Sequence, residues 1–317
     1  MLTYAVRRLI LLVPTWLGLS LFAFTLSSVS PGDPAQIILN RELDDPPTAE
    51  QVAEFRERTG LNDPFVVQYA RFVGDSLRGD LGFSFRSGKT VREEVGSRMG
   101  ATLELALPAF VLSVLVAVAF GVIAALRRNS LGDHVSRVVA LLFESIPTFA
   151  LAYILIIVLA VEFGWFPVAG KGDGAEYMVL PILTLTLATM ATTMRLTRSS
   201  LLDVLSQPYI RTARAMGLRT RRVVLSLALR NALIPVVTVA GLILAGFVTG
   251  TVIVETVFAW PGVGLYVVDA VFARDYPVVT GFVVFTGTVF VVVNLAVDLL
   301  YTRLDPRIRL GGRMTAS

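Results

Sequence analysis

The chain has no cysteine, a single histidine and only two lysines, Lys89 and Lys171. Without cysteine there are no disulfides, thiolate metal sites or cysteine nucleophiles. His134 has only Asp133 beside it as a ligand-type neighbour and reads as a solvated loop residue; no HExxH or GxSxG pattern supplies a hydrolytic site. Neither lysine completes a Gly-x-x-x-x-Gly-Lys-Ser/Thr phosphate loop, so no cofactor, ATP included, is expected in this chain. No metal site is expected either. Charge is also scarce: 16% of the 317 residues are Asp, Glu, Lys or Arg, while 55% are hydrophobic. That balance is far from a soluble domain and defines a polytopic membrane protein. Nucleic acid is not an expected partner, because the arginines follow the loops between apolar runs and form no separate basic domain.

What is present in abundance is the apolar run. Six occur, at residues 9–29, 103–126, 138–159, 178–194, 233–254 and 278–300. Most have about the 20 residues that a helix needs to cross ~30 Å of hydrocarbon; the fourth is shorter. The fold class expected is therefore all-α, with six transmembrane helices. The first run is longer than a usual signal core and is followed by Pro31-Gly-Asp-Pro34 rather than a small-x-small cleavage pattern, so it reads as a retained span. Six spans place both termini on one side. Arg7, Arg8, Arg127, Arg128, Arg137, Arg303, Arg307, Arg309 and Arg313 share that side, and the opposite short loops carry Glu162, Asp173, Glu176, Asp269 and Asp275 against Lys171 and Arg274. The positive-inside rule makes both termini cytoplasmic. The chain then divides into a lead and first span (1–29), an external insert (30–100), a transmembrane core of spans two to six (101–303) and a cytoplasmic tail (304–317).

The insert reads as helical pieces. Thr48-x-x-Gln51 and Thr90-x-x-Glu93 are capping-box patterns, Gly60 is a stop, and Phe65, Tyr69 and Phe72 fall on one helical stripe. Such helices could form a rim that receives an external partner, or a cap that packs over the helix ends.

Between the fourth and fifth runs, residues 195–230 hold eight arginines (195, 198, 211, 214, 219, 221, 222 and 230) against one acid, Asp203. A segment so charged stays in water and is drawn to anionic membrane lipid. Pro208 pre-sets a helical turn, Gly217 supplies a left-handed stop, and Thr220 is placed to cap a second short helix. The expected result is a protruding knob. In the fifth run Gly241, Gly246 and Gly250 suit either close helix packing or a pathway lining. Its outer end leads to Trp260, Pro261, Gly262 and Gly264, a candidate outer-gate loop in which Trp260 belongs at an interface and Pro261 with the glycines permits a tight re-entrant turn. Glu144 and Asp298 are structural or pathway acids near span ends, and Pro147 is placed to kink the third span.

Arg211-Thr-Ala-Arg-Ala-Met-Gly217 followed by Leu229-Arg-Asn-Ala-Leu-Ile-Pro235 resembles the coupling motif of ABC importer permeases, in the version of the dipeptide/oligopeptide/nickel group. Pro31-Gly-Asp-Pro34, Gly79-Asp-Leu-Gly82, Ala101-Thr-Leu-Glu-Leu-Ala106, Ser145-Ile-Pro-Thr-Phe149, Phe258-Ala-Trp-Pro-Gly-Val-Gly264, Arg274-Asp-Tyr-Pro277 and Asp305-Pro-Arg-Ile-Arg309 extend the resemblance over nearly the whole chain. The usual importer motif begins Glu-Ala-Ala and this chain has Arg211-Thr-Ala, so no role of that glutamate carries over. The resemblance implies a B-type permease subunit in a bacterial-type inner membrane. It implies Arg211, Thr212, Ala213, Arg214, Ala215, Met216, Gly217 and Leu218 as the ATPase-coupling loop. Partners implied are a second, different permease, two ABC ATPase subunits carrying ATP and Mg, and an extracytoplasmic substrate-binding protein. Cargo would be short peptides, with nickel chelates or glutathione as alternatives; an ion-coupled secondary carrier is the reading from another class.

Overall fold

The computed structural model describes residues 2–29, 32–43 and 45–304, with the side chains of 2–12, 41–42, 249–250 and 298–304 outside the described set. Pro31 and the whole Asp305 to Arg309 motif are likewise outside it. Among the described residues fourteen α-helices follow in order: α1 Leu2–Val29, α2 Pro34–Glu42, α3 Ala49–Thr59, α4 Phe65–Leu77, α5 Val91–Leu126, α6 Leu131–Ser145, α7 Thr148–Leu155, α8 Glu176–Leu205, α9 Pro208–Ala215, α10 Thr220–Arg222, α11 Leu229–Gly250, α12 Val252–Val257, α13 Val263–Phe272 and α14 Tyr276–Leu304. Ile156–Glu162 and Val223–Ala228 are π-helical. Among the described residues the only β pairing is an isolated bridge, Phe83 with Thr90.

Four helical stretches are long and apolar enough to cross a membrane: Val91–Leu126, Glu176–Leu205, Thr220–Val257 and Tyr276–Val297. Two bent pairs raise the number to six if each is one span, Val13–Val29 with Pro34–Asn40 at 69° and Leu131–Ser145 with Thr148–Glu162 at 105°. The third run is thus bent sharply between α6 and α7. Pro147 sits at the break, where it lacks the N–H a continuing helix requires. The fourth run is longer than its apolar part: α8 continues through Arg195 and Arg198 to Leu205, so these two arginines lie on a helix and not in a loop. Thr220 opens α10 rather than capping it; the cap position is Arg219, with no side-chain bond.

The described residues form two compact units, one within 2–8, 101–265 and 289–304, the other within 9–29, 32–43, 45–100 and 266–288. In the second, the ring of Phe24 on α1 meets Phe65, Tyr69 and Phe72 of α4 at 5.4, 5.7 and 5.2 Å. The Tyr69 hydroxyl donates to the Leu17 carbonyl at 3.0 Å. Both capping boxes form, Thr48 with Gln51 and Thr90 with Glu93, and Gly60 ends α3 at φ +69°. These local bonds satisfy helix-end N–H groups that would otherwise lack partners.

In the first unit α8 is packed by α6, α7 and α11. Close approach is built from small residues. A Cβ on Gly121 would lie 2.7 Å from the Thr197 Cβ, and one on Gly241 would lie 2.0 Å from a Val297 methyl, whereas Gly246 has open space. The Gly241 position is therefore a packing contact. One core gathers Leu105, Ile156, Leu180, Phe247, Phe258 and Trp260, and another Leu201, Ile210, Val223, Ala228 and Ala232. Within a bilayer such cores gain from close van der Waals packing rather than from removal from water.

Candidate functional site

The knob is α9 with its C-terminal turn. Pro208 occupies the first turn after Gln207, and Met216 N–H, Gly217 N–H and Leu218 N–H donate back to the carbonyls of Thr212, Arg214 and Ala213 at 3.0, 3.0 and 3.2 Å. Gly217 takes φ +81°, the left-handed conformation that ends a helix at little cost only for glycine. Ile210 and Ala213, one helical turn apart, turn inward onto Leu201, Val223, Ala228 and Ala232. Asn231 Nδ2 donates to the Tyr209 hydroxyl at 2.9 Å and ties the knob to α11.

The residues of the coupling motif thus divide by face. Arg211, Thr212, Arg214, Ala215, Met216 and Gly217 are exposed, Leu218 is half-buried, and Ala213 is only 7% exposed. Ala213 packs onto Leu201, Val223, Ala228 and Ala232 of the same chain. Met216, 76% exposed, is the apolar tip, flanked by arginines. The i, i+3 spacing of Ile210 and Ala213 carried this division in the sequence.

Within the candidate gate loop the Trp260 side chain is buried inside the chain. Trp260 is 1% exposed, and its indole N–H donates to the Ala101 carbonyl at 2.8 Å. Lys171, paired with Glu104, places its ammonium 5.2 Å from the Trp260 ring centroid. Gly170 N–H donates to the Phe258 carbonyl at 2.7 Å, so the loop before α8 is stitched to the loop after α12. Pro261 is exposed, while Gly262 and Gly264 are buried. The positive φ of the turn falls on Ala259, at +48°, not on a glycine.

Sequence reasoning missed what organises this loop. Glu255 on α12 is fully buried, and no cation is paired with it among the described residues. Its carboxylate accepts from the Thr102 hydroxyl at 2.8 Å, from the Thr251 hydroxyl, and from Leu265 N–H at 3.1 Å. A Cβ on Gly262 would lie 2.4 Å from the Glu255 carboxyl carbon, and one on Gly264 would lie 2.6 Å from the Val252 Cα. The glycines are there for this close approach. Two cues stood in the sequence: an acid at the end of an apolar run and glycines seven and nine residues later.

Glu144 accepts from the Thr192 hydroxyl at 2.8 Å and from Arg195 at 2.9 Å. Asp133, with a buried side chain in the first turn of α6, receives both Nε and NH2 of Arg198 at 2.7 Å. These two pairs hold α6 on α8. The Asp298 side chain lies outside the described residues. Among the described residues no group of three or more His, Asp or Glu converges to hold a metal.

The described helices define an integral, multi-pass membrane protein. Its fold matches a chain of the inward-facing MetNI methionine ABC transporter, native crystal form, with TM-score 0.58, 19% identity and coverage of 67% of this chain and 96% of that one. Residues 117–310 match the family described as binding-protein-dependent transport system inner membrane component, and residues 1–106 match its N-terminal companion; the chain belongs to this family. Among curated relatives it is 37% identical to the dipeptide transport system permease DppB of Alkalihalophilus pseudofirmus, over 98% of this chain and all of that protein. It is 40% identical to the oligopeptide transport system permease AppB of Bacillus subtilis, over 97% and 99%. It is 41% identical to the glutathione transport system permease GsiC of Escherichia coli K12, over 98% and 99%. The chain is an ABC importer permease of the peptide group.

Proposed function

We propose that the chain is the B-type permease subunit of an ATP-driven importer of short peptides, pairing with a second, different permease around the translocation pathway. Two ATPase subunits would hold ATP and Mg, this chain itself being non-catalytic, and an extracytoplasmic binding protein would deliver cargo. The observation that carries this reading is the knob: a short exposed helix with an apolar tip, seated through Ile210 and Ala213, directly after the long helix α8. Counting each bent pair as one span gives six spans. With the arginines on one side, both termini and the knob are then cytoplasmic.

In this reading ATP closes the ATPase dimer, the seated knob moves with it, and α8 and α11 carry the displacement into the spans. Coupling requires that the knob meet its partner differently in the two states, since a contact equal in both shifts nothing. The three curated relatives support the cargo class: a dipeptide, an oligopeptide and glutathione each present a free ammonium and a free carboxylate. The test is purification of the tagged chain in mild detergent with an assay of ATP hydrolysis. A second permease and ATPase subunits are expected to accompany it; a chain that comes alone even after cross-linking overturns the reading.

A further inference from the structure

The second unit contains a polar cavity of about 350 Å³ whose wall includes Arg86, Glu94, Arg98, Tyr266, Asp269 and Asp275. Its size lies at the lower end of the range for small-molecule sites. Most of these charges already have partners within the chain. The buried Asp275 carboxylate accepts from the Ser84 hydroxyl at 2.5 Å and from the Phe85 and Arg86 N–H groups at 2.9 and 3.2 Å, which fixes the turn carrying Arg86. Glu94 is paired with Arg98, and the Arg98 guanidinium lies 4.2 Å from the Tyr266 ring centroid.

Two charges remain. The Arg86 guanidinium and the Asp269 carboxylate line the same cavity, both are exposed, and among the described residues neither is in an ion pair with the other or with anything else. Both are carried on fixed backbone, Arg86 on the turn held by Asp275 and Asp269 on α13. Opposite charges that share a cavity without meeting leave room for a ligand that carries both signs.

We propose that this cavity recognises short zwitterionic peptides, with Arg86 taking the carboxylate end and Asp269 the ammonium end. The proposal rests on the peptide-importer reading and adds to it a recognition site within the permease itself. Titration calorimetry tests it on the full-length chain purified with whatever subunits accompany it, without binding protein, using alanyl-alanine and the uncharged N-acetyl-alanyl-alanine amide. The free dipeptide is expected to bind and the blocked one not to bind. Arg86→Ala and Asp269→Ala are each expected to weaken binding about tenfold or more, the usual cost of losing a charge-assisted bond, and Arg86→Lys to retain most of it. Equal binding of the blocked dipeptide, affinity indifferent to both alanine variants, or peptide binding only when the binding protein is added would overturn the proposal. Failure of the importer reading shows separately, as a chain without ATPase subunits.

Discussion

Thr102 and Glu255, 153 residues apart, are joined by one hydroxyl: Thr102 Oγ1 donates to the buried carboxylate at 2.8 Å and accepts the Val263 N–H at 2.9 Å. The threonine thus links α5 to both sides of the Trp260 loop. Removing one partner leaves the others buried and unsatisfied, which costs more than the bond itself contributes. Thr102→Val keeps the shape but strands the Val263 N–H. The expected loss is ~1–3 kcal/mol of stability, read as a lower midpoint of thermal unfolding in detergent. Glu255→Leu should behave similarly, because it removes the acceptor of the Leu265 N–H as well as that of both hydroxyls. An unchanged midpoint in both variants would contradict this account of the loop.

The glycines give a paired test. Gly264→Ala places its Cβ 2.6 Å from the Val252 Cα, a backbone atom that cannot rotate away, while Gly246→Ala meets nothing within 4 Å. The first substitution should lower expression and thermal stability, and the second should leave both near wild type, since alanine also suits a helix better than glycine. Fluorescence-detected size-exclusion profiles on heating separate the two outcomes.

Much of this architecture is legible locally. Thr48 and Gln51, Thr90 and Glu93, Pro208 and Gly217 do what their sequence patterns ask, because caps and stops depend on neighbours within a turn. The bend at Pro147 follows from a missing N–H, though its 105° extent does not. What the sequence hides is pairing at a distance. Ser84 meets Asp275 across 191 residues and Arg198 meets Asp133 across 65, and no periodicity announces either. Nor does the residue type of Trp260 announce that its indole meets the buried Ala101 carbonyl, 159 residues away. The division of the knob into seating and presenting faces was legible from Ile210 and Ala213 once helical spacing is applied to so short a segment.

That division yields a prediction in which two substitutions on one helix act differently. Met216→Asp changes the exposed tip without touching the core, so thermal stability should stay within about 0.5 kcal/mol of wild type while ATPase co-purification and peptide uptake fall. Ala213→Leu overfills the seat against Val223 and Ala228 and should cost roughly 1–3 kcal/mol, lowering stability and uptake together. Gly217→Ala has space for its methyl but must hold φ +81°, a strain of about 1–2 kcal/mol. If Met216→Asp left both ATPase association and uptake untouched, the tip would not be the partner contact.

The two ion pairs that hold α6 on α8 should differ in weight, because their burial differs. Arg198 reaches Asp133 through two bonds of 2.7 Å, and the carboxylate has no solvent exposure. Arg198→Ala therefore leaves a buried charge with the Asn129 N–H at 2.9 Å and the more distant Arg137 at 3.5 Å, and the expected loss is about 3–5 kcal/mol, little relieved by salt. Arg198→Ala combined with Asp133→Ala should recover part of it, since the stranded charge goes too. The Glu144 to Arg195 pair is partly exposed on both sides, so Glu144→Gln should cost at most about 1 kcal/mol, with the remainder screened in high salt. Unfolding midpoints of the three variants at low and high ionic strength decide the matter. Equal losses at the two sites would mean that burial of Asp133 is not what makes its pair matter.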